Sequence, residues 1–282
     1  MPGTRISDRF NEHLRNVEIL SSTGIKPPRE WAALRERFAS YQQLRLPACE
    51  RLIATLITPA KGDDVALWHG LALAETANPM AQATVDNAVS AAVERRLLEL
   101  YRPSARSNYE KAADRFDSAA SEFAAAATVI DAEAPAATVV NASDDERAAW
   151  STAERAAAEL DAVLPTLVAA SELANIHITA QDGTVLMLCV DPGNLHRRRL
   201  WQAFETRDGR TRRWGALAKI GATIRACALD DIKPYAQPRP LERRVEKIPG
   251  GERVFWTDPE SDDYIPPRPP AVGMISGRMV AG

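Results

Sequence analysis

Residues 104–130 read SARSNYEKAADRFDSAASEFAAAATVI, and residues 143–174 read SDDERAAWSTAERAAAELDAVLPTLVAASELA. In the first stretch Tyr109, Ala112, Phe116, Ala119, Phe123, Ala126 and Ile130 recur at steps of three and four. In the second, Trp150, Ala153, Ala157, Leu160, Leu164 and Leu167 do the same, and Ala174 extends the face. That period is the signature of a helix with one apolar face. The span Ser104–Asn175 therefore predicts two long helices folded back on each other, coiled-coil fashion. Each would be roughly 30 residues and about 45 Å long. Pro135 and the run Ala136–Ala142, which keeps no stripe, supply the reversal. Two Ser-x-x-Glu capping boxes, Ser107 to Glu110 and Ser143 to Glu146, mark the expected starts, since hydroxyl and carboxylate each satisfy a free backbone donor. Alanine alternating with an occasional aromatic lets the two backbones approach closely. Pro165 is the residue that would break the second helix in two.

Outward from that pair, the first 103 residues are punctuated by proline. Ser7 caps a first helix with Phe10, Leu14, Val17 and Leu20 on one face, ended by Gly24 and Pro27–Pro28. Trp31, Leu34, Phe38 and Tyr41 write a second, and Leu52, Ile53, Leu56 and Ile57 a third, ending at Pro59. Asp63 or Asp64 caps a fourth through Leu67, Trp68 and Leu71. Pro79 opens a fifth, through Val85, Val89, Ala92, Leu97 and Leu100, which Pro103 is expected to close.

After Ile176 the pattern changes. Asp182–Gly183 between Ile176–Ala180 and Thr184–Val190 predicts a two-residue hairpin. Asp208–Gly209 between Leu200–Arg207 and Arg210–Trp214 suggests a second, although Asn194–Glu205 also reads as a helix. Residues 216–229 fit a helix better than a strand on length and alanine content. Pro249–Gly250–Gly251 predicts a third hairpin, joining Val245–Ile248 to Arg253–Trp256. The expected fold is mainly α with a small α+β C-terminal part. Its units are a helical bundle (1–103), a long antiparallel helical hairpin (104–175), a small hairpin-containing domain (176–257) and a proline-rich arm (258–282).

The chain of 282 residues has a formal net charge of only −3, so no global field draws it to nucleic acid or membrane. No run approaches the ~20 apolar residues of a membrane helix, and Met1–Phe10, with Arg5, Asp8 and Arg9, lacks the apolar core of a signal peptide. Cys49, Cys189 and Cys227 are odd in number and far apart, as buried reduced thiols in a cytoplasmic protein would be. Arginine outnumbers lysine heavily and alanine is abundant, the mark of a GC-rich genome. Charge is polarised: residues 61–175 carry 9 basic and 19 acidic side chains, residues 176–282 carry 17 and 13.

No phosphate-binding glycine loop and no zinc spacing is present, and His13, His69, His177 and His196 each stand alone. The expected hairpin puts His177 and Cys189 on opposite faces, against a nucleophilic pair. The acidic doublets at 63–64 and 144–145 suit helix starts. No catalytic, cofactor or metal residues are expected.

The informative cluster is basic: Arg197, Arg198, Arg199, Arg207, Arg210, Arg212 and Arg213, with Trp201 and Trp214 interleaved. Arginine grips phosphate or carboxylate with paired hydrogen bonds and tryptophan stacks on bases. The segment is thus a nucleic-acid surface or a docking face for the acidic helices of the same or a neighbouring subunit. The second candidate is the arm, Tyr264, Ile265, Pro266, Pro267, Arg268, Pro269 and Pro270, stiff and with free backbone carbonyls, suited to lie on a partner. Together these features predict a non-enzymatic structural or assembly protein of a bacteriophage or other mobile element. It would be a homo-oligomer or bound to other protein subunits, in the cytoplasm or an assembled virion. The alternative is a nucleic-acid-binding accessory protein using 196–214.

Overall fold

The computed structural model describes residues 7–43, 48–57, 64–77, 79–176, 178, 183–233, 235, 237–248 and 251–259. It is mainly α, with two small antiparallel β pairs among the described residues. Helix α1 (Asp8–Ser22) is capped by the Ser7 hydroxyl, which accepts from the Phe10 amide, and ends where Gly24 turns left-handed at φ +86°. Helix α2 (Arg29–Gln43) follows Pro28 and buries Trp31 and Phe38. Helices α3 (Ala48–Ile57) and α4 (Val65–Ala77) pack mainly on each other. The Asp64 carboxylate accepts from the Leu67 amide at 3.0 Å, capping α4.

Helix α5 (Pro79–Val129) is the axis of the molecule: 51 residues, about 75 Å at 1.5 Å per residue. Pro103 does not close it. The ring lacks an amide donor and crowds the carbonyl four residues back, a local penalty of about 3 kcal/mol. The buried stripe Leu97, Tyr101, Ala105 and Tyr109 runs through that point in unbroken phase, and Pro103 itself faces outward. Packing on both sides outweighs the local rule. Ser107 consequently lies inside the helix and caps nothing, and α5 crosses the expected boundary at 103/104.

The reversal holds a single helical turn, α6 (Ala136–Val139), before α7 (Asp144–Leu173). Here the capping box is present: the Ser143 hydroxyl accepts from the Glu146 amide, and the Glu146 carboxylate accepts from the Ser143 amide. Pro165 faces outward and α7 continues through it. The seam of α5 and α7 buries Ala112, Phe116, Phe123, Ala153, Ala157, Leu160 and Leu167. Helix α1 lies along α7 and α2 along α5, completing one core.

The C-terminal part departs from expectation. Residues Thr184–Cys189 form helix α8, not a strand. Gly183 precedes it at φ +68°, and a Cβ there would collide with the Tyr235 carbonyl and the Trp201 ring. A short apolar run offers no period by which to tell strand from helix. The rest of that expected hairpin, with Asp182 and His177, lies largely outside the described residues. Helix α9 (Arg197–Glu205) replaces the second expected hairpin, so the helical alternative holds there. Residues 216–229 are only partly helical: α10 (Arg212–Lys219) ends near Gly221 at φ +80°. A two-residue strand β2 (Thr223–Ile224) then pairs with β1 (Val190–Asp191). The third hairpin is present: β3 (Glu242–Ile248) pairs antiparallel with β4 (Gly251–Thr257), Val245 opposite Val254 and Arg243 opposite Trp256. Asp258 belongs to the folded body and not to an arm. Tyr264, Ile265, Pro266, Pro267, Arg268, Pro269 and Pro270 lie outside the described residues.

Candidate docking surfaces and a polar cleft

The basic segment folds against the acidic helices of its own chain. Glu133, in the reversal after α5, sits at the N-terminus of α10. Its carboxylate accepts from the amides of Arg210 (2.8 Å) and Thr211 (2.7 Å) and from the Thr211 hydroxyl. Burial raises the acid's pKa, but these hydrogen bonds outweigh it and hold Glu133 below the ordinary carboxylate range. Gly215 permits the approach, since a Cβ there would stand 2.7 Å from the Glu133 carboxylate. The Arg210 guanidinium lies 3.2 Å over the Trp150 ring, donates to the Trp150 carbonyl at 2.9 Å and pairs with Glu154 at 2.7 Å. Trp214 is fully buried, edge-on to Phe116, and donates to Asp161 at 3.0 Å. Arg212 and Arg213 reach the same carboxylate at 3.4 and 3.8 Å.

Arg198 turns the other way. It is buried, and its guanidinium grips the Asp258 carboxylate with two bonds, 2.6 and 2.8 Å, while a third goes to the Arg239 carbonyl at 2.5 Å. Asp258 has a side-chain exposure of 0% and is held well below the usual carboxylate range, chiefly by Arg198. This pair ties the foot of the β3–β4 hairpin to α9. Trp201 is buried too, whereas Arg199 and Arg207 are exposed and Arg197 is half-buried. The segment thus gathers Arg198, Arg210, Arg212, Arg213 and Trp214 around internal carboxylates.

Beyond that foot, β3 and β4 stand off the body. Residues 242–247 and 251–254 are exposed, and the pair packs on little but itself. Partners across the ladder share a face with residues two away. One face therefore carries Val245, Val254 and Trp256, each about 45% exposed, with Arg243, Lys247 and Glu252.

The sequence reading missed a polar cleft of about 540 Å³ between α1, α5 and the end of α7. Arg9, Glu12, His13, Asn16, Arg102 and Glu172 are among the residues lining it. The Asn16 amide donates to Glu172 at 2.5 Å. His13 is buried among Phe10, Trp31 and Tyr101, with ring centroids at 6.0, 6.1 and 5.3 Å. Its Nε2 has no hydrogen-bond partner among the described residues. The signal was present: His13 and Asn16 interrupt the apolar stripe Phe10, Val17, Leu20 of α1.

Burial lowers the His13 pKa from 6.5 to about 4. Between those values the unfolded chain binds a proton that the folded chain refuses, so stability falls as pH drops through that window. The loss is on the order of 3 kcal/mol. Glu133 and Asp258, with depressed pKa values, add their losses at lower pH still. Urea melts across this range should show the slope, and His13→Gln should flatten it. An equal slope in both proteins would remove His13 from the account.

Among the described residues no group of three His, Cys, Asp or Glu side chains lies close enough to hold a metal ion. Cys189 is fully buried and its thiol is pushed far up by burial. No described helix is long and apolar enough to cross a membrane. Compared with known proteins, the chain matches no family model, no curated protein and no solved structure.

Proposed function

We propose that this chain is a non-enzymatic assembly protein, a structural or accessory component of a bacteriophage or other mobile-element particle, working as a homo-oligomer or with other protein subunits. The observation that carries the assembly reading is the β3–β4 hairpin. A two-stranded hairpin alone is at best marginally stable in water. Here one is tied down at its foot by a buried ion pair, while its two valines and a tryptophan face solvent. An element so anchored and so exposed suits a contact with a neighbour. The rigid α5–α7 spine sets the distance between such contacts. The arginine- and alanine-rich composition and the proline-rich C-terminal segment fit the particle context.

The alternative, nucleic-acid binding through 196–214, draws less support. Trp201 and Trp214 are buried and unavailable for stacking on bases, and most of the arginines meet internal partners. Arg199, Arg207 and Arg212 are its exposed cations.

The assembly reading is tested on the full chain by replacing Val254 and Trp256 together with glutamate. Both are exposed, so the fold is expected to keep its helical spectrum and melting temperature. The large species that light scattering is expected to find for the parent should shrink in this variant. Unchanged assembly in this variant would deny the hairpin its role. Salt-dependent binding of DNA that Arg199→Ala with Arg207→Ala abolishes would favour the alternative.

A further inference from the structure

The first half of the molecule carries a surface that neither the seam nor the hairpin explains. Helices α3 and α4 expose Ile53 (49%), Leu56 (61%), Ile57 (76%), Leu67 (54%), Leu71 (43%), Leu73 (57%) and Val65 (43%). Between them they bury little: Thr55 and Ala72 are among the few buried side chains, and Arg51 lies over Trp68. Leu67 and Leu71 share one side of α4, while Leu73 lies two residues on, nearly opposite. The helix is therefore apolar almost all the way round, the pattern of a helix that belongs inside a core. From Leu52 to Ile57 and from Val65 to Ala74 there is no charged residue at all. Single exposed leucines are ordinary, but a contiguous set is not.

We infer that the α3–α4 helix pair is a two-fold contact between two copies of this chain. A second copy fits this surface better than another occupant. The surface has no charge with which to choose an oppositely charged partner. An apolar patch is complementary to itself, and two-fold symmetry, the commonest closed arrangement, brings identical patches together. Ile53, Leu56 and Ile57 share one side of α3, as Leu67 and Leu71 share one side of α4, and the exposed parts of these five side chains sum to roughly 500 Å² per copy, so that two copies reach the ~1,000 Å² a specific interface needs. Homodimer interfaces are also the more apolar class. Glu50, Arg51 and Asp64 at the helix ends would form the polar rim.

This deepens the assembly reading by naming a specific contact, and it rests on that reading only for its biological purpose. The test is sedimentation equilibrium of the full chain over a range of concentrations, with two double variants. One is Leu56→Lys with Leu71→Lys, the other Ile53→Lys with Leu67→Lys. All four sites are exposed, so circular dichroism should match the parent; if one pair perturbs the helices, the other decides. Self-association should weaken at least about ten-fold in the variants. The hairpin variant, Val254→Glu with Trp256→Glu, should keep the dimer. If the lysine variants associate as tightly as the parent, the inference is overturned while the assembly reading stands. If the hairpin variant alone dissolves the dimer, the contact lies there instead. A parent that never dimerises but floats with lipid vesicles would give the surface to a bilayer, and would overturn it too.

Discussion

Phe123→Asp abolishes the fold. Phe123 has no exposed surface and sits on the α5 face of the seam, inside the helix that ends at Val129. Truncating a buried phenylalanine costs about 3–5 kcal/mol. The aspartate adds a polar group with no partner among alanines and leucines, a further penalty of at least ~2 kcal/mol even if it takes up a proton. Together these approach the whole stability of an ordinary domain, about 5–15 kcal/mol. Far-UV circular dichroism during urea unfolding should show the variant unfolded, or unfolding at far lower urea. Phe123→Leu, which keeps most of the volume, should stay near the parent. A Phe123→Asp protein that melts with the parent would mean the seam is misplaced.

The second large effect is local. In Asp258→Ala the Arg198 guanidinium stays buried and loses its two bonds to the carboxylate. Removing one partner of a buried ion pair costs about 3–5 kcal/mol. Because that pair fastens the foot of β3–β4, the loss should appear there and spare the helical core. Amide hydrogen exchange across 242–257 should accelerate by roughly 100-fold or more, while α5 and α7 keep their protection. Uniform acceleration would show the pair to be part of the core. No change would show the hairpin to be held by something else.

The way these two effects divide follows what the sequence could and could not convey. The seam was legible because Phe116, Phe123, Leu160 and Leu167 repeat at helical spacing, and because Ser143 and Glu146 stand at capping distance. Pro103 misled because the rule for proline is local, whereas the stripe through Leu97, Tyr101, Ala105 and Tyr109 acts over many turns. Gly183 misled because a left-handed glycine serves a hairpin turn and a helix start equally well. The run Val185–Cys189 has no polar face to break the tie. The basic cluster was countable, but not its partners. Asp258 is 60 residues from Arg198, and Glu133 is 78 residues from Thr211. Only the folded chain brings each pair together. The α3–α4 surface was half legible: its leucines could be read off, but not that they would be left uncovered.

The mass of the full chain in solution tests most directly whether this protein assembles with its own copies. Analytical ultracentrifugation over a wide concentration range should find the protein in multi-copy species, with the dimer as the smallest associated unit. A single-chain mass at every concentration, with no self-association at all, would contradict the reading of this protein as one that assembles with its own copies.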